Sequence, residues 1–212
     1  DSAARAALAS AITAAVARER LPLAEAQARE RRGDLAGAAA RYAALGSLPD
    51  AFRLRYTADS SATARAALRR ELVAFITAHT GMADARAAAG VLDSYRAPTP
   101  AEDLAVGRSL AQSGPAAAAV TRLRRALKAG LGKAEDRFAY ASALFAMNRY
   151  ADAAYQYNLV RKPAALAASA AYGRARALVR AGQVSEARSA LRLIIHRDSR
   201  RVHHDQQSLS DH

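Results

Sequence analysis

The chain has 212 residues, of which 51% are hydrophobic and 24% are charged, and its formal net charge is +13. It has no cysteine, which excludes disulfides and thiolate metal sites, and no apolar run approaches the roughly 20 residues of a membrane-spanning helix. The positive charge suits anionic partners. Nucleic acid is not the expected one, because the interleaved aromatic platform, the Gly-rich basic tail and the zinc spacing that usually accompany it are missing.

Much of the hydrophobic fraction is alanine, the strongest helix former, and its small side chain lets helices approach closely. Gly is mostly confined to short breaks. The composition therefore predicts an all-α protein. Since the chain begins at Asp1 rather than at Met, we expect it to be a processed form or a fragment.

In chain order, residues 2–19 are predicted to form a helix that packs on the front of a repeat array. Residues 20–45 carry the first repeat copy, and an irregular insertion at about 46–60, a loop or short helix, separates it from four further copies over 67–198. The superhelical domain thus covers 1–198. The polar tail, 199–212, is predicted to be disordered.

The repeat has a period of 34 residues, and it is visible as columns of similar side chains. The clearest column is alanine, and a second column is aliphatic, one turn before each break. Within a copy, apolar residues recur at helical spacing on both sides of the break, which predicts two antiparallel helices. The two columns are Ala85, Ala119, Ala153, Ala187 and Ile76, Leu110, Leu144, Leu178.

Turn residues also recur, at Thr80, Gly114, Asn148 and Gly182; Gly and Asn tolerate the left-handed conformation that ends a helix. The sequence Thr99-Pro-Ala-Glu102 has the pattern of a capping box with Pro just inside it. A helix is therefore predicted to start near residue 100.

Candidate catalytic and metal-binding side chains are few. The acidic pairs Glu102-Asp103 and Glu135-Asp136 fall at helix starts, where carboxylates favour the helix dipole, so they are interpreted as structural. His203 and His204, beside Asp205, lie in the tail without fixed geometry and are not assigned to a metal. We expect no catalytic residue, no metal and no cofactor.

These columns resemble the tetratricopeptide repeat, most closely over residues 140–157 and 171–198. The resemblance implies a right-handed α-solenoid whose first helices line a concave groove. The aromatic residues of the last third are interpreted mainly as repeat core, with an exposed ligand-binding strip as the alternative. The candidate groove residues, which face away from the apolar stripe of the first helices, are Arg70, Arg108, Ser142, Tyr172, Arg176 and Arg180.

A second resemblance rests on four parts of the chain. They are Leu48-Pro-Asp-Ala-Phe-Arg-Leu-Arg-Tyr56, Ala66-Ala-Leu-Arg-Arg-Glu-Leu72, Leu92-Asp-Ser-Tyr95 with Thr99-Pro-Ala-Glu102, and Ala170-Ala-Tyr-Gly-Arg-Ala-Arg-Ala-Leu178. These segments are similar to the N-terminal superhelical region of bacterial soluble lytic murein transglycosylases. No Glu in the chain is followed by Ser, so the Glu-Ser motif of their catalytic domain is missing. The resemblance implies a non-catalytic, periplasmic part that positions peptidoglycan strands or a partner. A freestanding adaptor that binds a protein or peptide is the alternative.

Overall fold

The computed structural model describes residues 2–95 and 97–195, apart from four side chains of the first helix (2, 15, 18 and 19). Within these ranges the chain is helical and contains no β-strand, which confirms the predicted all-α class. The predicted disordered tail and its His203-His204 pair lie outside the described residues. The helices are α1 Ser2–Arg31, α2 Leu35–Ala44, α3 Leu48–Ala58, α4 Ala62–Ala78, α5 Ala83–Asp93, α6 Pro100–Ser113, α7 Ala116–Lys128, α8 Ala134–Ala146, α9 Tyr150–Asn158, α10 Ala164–Arg180 and α11, residues 184–195.

Helices α1 to α5 belong to one compact unit, residues 1–79 and 83–97. Each of these helices packs against the next, and α5 also packs against α3. The interior is made mostly of alanine with a few larger side chains such as Tyr42 and Leu54. Such small side chains let the helices approach closely, and their burial supplies the main favourable term in folding.

The segment 46–60, predicted as an irregular insertion, contains helix α3. Pro49 lies in the first turn of this helix, where its missing N–H costs nothing. Phe52 and Leu54 are buried, so α3 contributes to the interior of the first unit.

Helices α6 to α11 belong to the second unit, residues 80–82 and 98–212. Along α6 to α10 each helix packs against the next, and α8 also contacts both α6 and α10. One hydrophobic cluster runs through this unit from Ala119 to Ala190 and includes Leu123, Leu144 and Leu178. The pairs α6–α7, α8–α9 and α10–α11 are the helix pairs that the 34-residue period predicts.

The alanine column of the repeat is buried at all four of its positions, with at most 2% of any residue exposed. In the aliphatic column Ile76, Leu144 and Leu178 are buried, whereas Leu110 is half-buried. The burial follows the 34-residue period because each alanine lies on the inner side of a second helix, where a larger side chain would hold the two helices apart.

The turns between paired helices are less uniform than the sequence predicts. Asn148 and Gly182 adopt positive φ angles of 60° and 77°, as expected for left-handed helix ends. Gly114 is extended instead, because it precedes Pro115, and a residue before proline is displaced from helical conformations. In the first copy the positive φ belongs to Gly81 rather than to Thr80.

Candidate binding groove

A groove of about 500 Å³ runs along α10 in the second unit, between Phe145 of α8 and Leu191 of α11. Helix α10 supplies most of its wall, because Tyr172, Arg176 and Arg180 follow one another at intervals of four residues and share a helix face. Phe145, Tyr172, Ala175, Arg176, Val179, Arg180 and Leu191 line it.

The two arginines of the groove lie over aromatic rings. The guanidinium carbon of Arg176 is 5.0 Å from the ring centre of Phe145 and 5.9 Å from that of Tyr172. That of Arg180 is 5.5 Å from the ring centre of Tyr150, and Nη2 of Arg180 donates a 3.3 Å hydrogen bond to the Tyr150 hydroxyl. Cation–π contacts of this kind hold a guanidinium in place while leaving its N–H groups available to a ligand.

Both arginines are exposed, and among the described residues neither of them forms an ion pair with a carboxylate. Other arginines of the second unit do have a carboxylate partner: Arg122 and Arg125 both contact the buried carboxylate of Asp103. The groove therefore presents two fixed positive charges on an aromatic and aliphatic floor. Such a surface suits a ligand that carries both anionic and apolar groups.

Three of the six candidate residues named from the sequence, Tyr172, Arg176 and Arg180, come together in this groove. Arg108 instead pairs through two nitrogens with the buried carboxylate of Asp136, and Ser142 shares a 2.9 Å hydrogen bond with the Tyr157 hydroxyl. Arg70 is exposed on α4, in the first unit.

Glu102, Asp103 and Asp136 of the acidic pairs at the helix starts have structural partners. Glu102 accepts a 2.7 Å hydrogen bond from the N–H of Thr99 and completes the predicted capping box, and α6 begins at Pro100. Asp136 accepts one of 2.6 Å from the N–H of Lys133 at the start of α8.

From the sequence, Phe145 and Tyr150 are interpreted mainly as core aromatics, with an exposed ligand-binding strip as the alternative, and Val179 and Leu191 are not assigned to the site. A signal was available, because Phe145 and Arg176 lie 31 residues apart. Neighbouring first helices pack together, so a side chain near the end of one first helix can contact the next. The two contacting residues are then separated in sequence by about one period minus one helical turn.

A second aromatic and arginine cluster, not foreseen from the sequence, lies in the first unit. The rings of Tyr56 and Tyr95 meet edge to face at 4.8 Å, and Arg65 and Arg69 lie over them at 5.4 and 5.2 Å. Tyr56 donates a 3.0 Å hydrogen bond to the carbonyl of Ser94. Burial is the main cause that raises the pKa of Tyr95. These contacts tie α3 and α4 to the end of α5.

No protein-family model, curated protein or solved structure matches this chain. In the part of the chain that the structure describes, no three His, Asp or Glu residues are grouped so that they could hold a metal ion. No helix there is both long and apolar enough to cross a membrane.

Proposed function

We propose that this chain is a non-catalytic helical-repeat scaffold that binds an anionic partner in the groove along α10. The observation that carries the proposal is the pair Arg176 and Arg180, which are held on aromatic rings and lack a carboxylate partner within the described residues. A charge that the fold does not neutralise, but does hold in position, is suited to a ligand's anionic group.

The repeat architecture that we propose is a right-handed α-solenoid of tetratricopeptide-like hairpins. The buried alanine column and the packing of each helix on the next, within α1–α5 and within α6–α10, support it. In a solenoid each hairpin contacts mainly the hairpins beside it, so a groove can run along successive first helices.

We further propose that the scaffold is the superhelical part of a peptidoglycan lytic transglycosylase and acts in the periplasm. The support is the resemblance of residues 48–56 and 170–178 to that family. Peptidoglycan carries carboxylates on its peptide stems, and these are groups that a fixed guanidinium binds. The scaffold would position cell-wall strands for a catalytic domain bearing the Glu-Ser motif.

The test is retention of the full chain on purified peptidoglycan sacculi at low and high salt. We expect retention at low salt that weakens as salt screens the charges. The double variant Arg176→Gln with Arg180→Gln should lower this retention more than twofold.

The matched control is Arg188→Gln with Arg192→Gln, which removes the same charge from exposed positions of α11 outside the groove. Absence of retention at low salt would refute the cell-wall assignment, and equal losses in both double variants would refute the groove as its site.

The second candidate is a freestanding adaptor for a protein partner. The apolar part of the groove favours it, because the exposed Tyr172, Val179 and Leu191 offer more aliphatic and aromatic surface than a polar glycan covers. Failure of the chain to bind sacculi, together with groove-dependent binding of a peptide, would support this candidate over the first.

A further inference from the structure

The groove along α10 repeats, one period later, a surface that is partly covered in the preceding helix pair. Six of its seven lining residues stand 34 positions after residues of α8 and α9. Tyr172, Ala175, Arg176, Val179, Arg180 and Leu191 correspond to Phe138, Ala141, Ser142, Phe145, Ala146 and Tyr157. The groove is therefore the counterpart, in the α10–α11 pair, of the α8–α9 face on which α10 packs.

In the earlier pair the part of this surface around Tyr157 is covered by a close contact with α10. The Tyr157 ring meets Phe138 edge to face at 5.3 Å, and its hydroxyl shares a hydrogen bond with Ser142. A Cβ atom at Gly173 of α10 would lie only 2.8 Å from this ring, so the glycine lets the helix backbone reach it. Only 7% of Tyr157 remains exposed.

The corresponding positions of the last described pair are uncovered. Leu191, which corresponds to Tyr157, is 40% exposed, and Tyr172 and Val179 are 59% and 54% exposed. Their counterparts Phe138 and Phe145 are half-buried. The apolar floor on which a helix packs in one pair is thus present, and open, in the next.

The difference in charge between the two surfaces indicates what kind of helix the groove along α10 binds. Arg176 and Arg180 stand where the preceding pair has the neutral Ser142 and Ala146. A helix that packed here as α10 packs on α8 and α9 would partly cover Arg176, because its counterpart Ser142 is half-buried, and would lie beside Arg180, because its counterpart Ala146 is exposed. Neither arginine has a carboxylate partner among the described residues, so acidic side chains on that helix would compensate the water lost around Arg176 and would attract Arg180.

We infer that the groove binds an amphipathic α-helix of a protein partner that carries Gly or Ala at its centre and Asp or Glu within one turn of it. The small residue would face Leu191 as Gly173 faces Tyr157, and the carboxylates would pair with Arg176 and Arg180. This inference rests on the proposal that the chain is a binding scaffold, and it names the partner of the same groove.

The probe that tests it is a capped synthetic peptide with the sequence of Ala164–Arg180 in which Arg174, Arg176 and Arg180 are replaced by glutamate. This helix has the shape that fits the preceding pair and the charge that the groove requires. Two peptides serve as controls. One has the unchanged sequence, and the other is the acidic peptide with the additional substitution Gly173→Leu. Fluorescence anisotropy with the full chain should show that the acidic peptide binds at least tenfold more tightly than either control.

Protein variants locate the binding. Arg176→Gln with Arg180→Gln should weaken binding of the acidic peptide at least tenfold, and Arg188→Gln with Arg192→Gln should leave it within twofold. Circular dichroism on each variant shows that the helices are retained. Equal binding of the acidic and unchanged peptides, or an equal effect of both double variants, would overturn the inference.

A competition experiment separates this inference from the cell-wall proposal. Soluble muropeptides are added to the complex of chain and acidic peptide, and are also tested alone. If muropeptides bind through Arg176 and Arg180 while the acidic peptide does not bind, the helix inference is refuted and the cell-wall function stands. If the peptide binds and the chain does not bind sacculi, the inference stands and the cell-wall assignment is refuted.

Discussion

Asp136, at the start of α8, is a carboxylate with almost no exposed surface. Two nitrogens of Arg108 and the N–H of Lys133 donate hydrogen bonds to it. Burial alone would raise the pKa of Asp136, but the bonds from Arg108 and Lys133 and the two positive charges outweigh it, so the pKa lies below its ordinary value. The folded state therefore favours the charged form of this carboxylate.

The two partners of this pair should not be equally sensitive to substitution. Arg108→Gln leaves a buried carboxylate without its counter-ion and should lower the free energy of unfolding by about 3–5 kcal/mol. Asp136→Asn leaves Arg108, whose side chain is 32% exposed and can be hydrated, and should cost about 1–3 kcal/mol. Urea denaturation measures both. Arg149→Gln, in an exposed pair with Asp152, is the control and should cost less than about 1 kcal/mol.

The pH dependence of the free energy of unfolding of the same variants is an independent test of the role of Asp136. With a folded pKa below the unfolded one, the contribution of Asp136 is complete above about pH 5, decreases as pH falls through the ordinary carboxyl range, and is lost entirely only below the folded pKa. In Arg108→Gln burial dominates and the pKa should rise. The destabilisation relative to wild type should then shrink on acidification. A destabilisation that is constant between about pH 3 and pH 6 would contradict this account.

At the scale of helices, the start of α6 is fixed by a reciprocal pair of hydrogen bonds between Thr99 and Glu102. Helix α8 has only one of these two bonds, the one from a backbone N–H to the acid, because the Lys133 side chain has no acceptor atom. In α6 the Thr99 hydroxyl additionally accepts from an N–H of the first turn that would otherwise lack an intrahelical partner.

Thr99→Ala should lower the free energy of unfolding by about 1 kcal/mol, because it removes this acceptor, whereas Thr99→Ser should retain most of the stability. Thr121→Ala is the matched control. The Thr121 hydroxyl bonds the carbonyl of Ala117 within the exposed surface of α7, and alanine is the better helix former there, so we expect no loss. Thermal unfolding followed by circular dichroism compares the three. A loss at Thr121 as large as that at Thr99 would argue against the capping role.

The helix pairs were predictable because they depend on spacing within the chain. The buried alanine column and the start of α6 follow from the 34-residue period and from one capping sequence. Tyr172, Arg176 and Arg180 could be grouped because they lie on one face of one helix. Arg108 and Ser142 could not be assigned to their contacts, because their partners Asp136 and Tyr157 come from other helices. A single sequence does not show which buried acid an arginine reaches.

At the scale of the whole molecule, the chain divides into two compact units. The hydrophobic cluster of the second unit runs from Ala119 to Ala190 and contains side chains of that unit only. The buried carboxylates of Asp103 and Asp136 also find their partners within it, Arg122 and Arg125 for the first and Arg108 for the second. A unit with its own core and its own compensated buried charges meets the usual conditions for independent folding.

The fragment 98–212 should therefore fold alone. We expect a helical circular dichroism spectrum and one cooperative thermal transition, because removal of the first unit leaves this cluster intact. The control fragment 98–162 ends before α10, which would expose Tyr157 and the apolar surface around it. Since a large buried side chain contributes about 1.5–3 kcal/mol, loss of this cover should abolish or broaden the transition. A non-cooperative melt of 98–212, or equal cooperativity of the two fragments, would show that the core of the second unit is not sufficient for its stability.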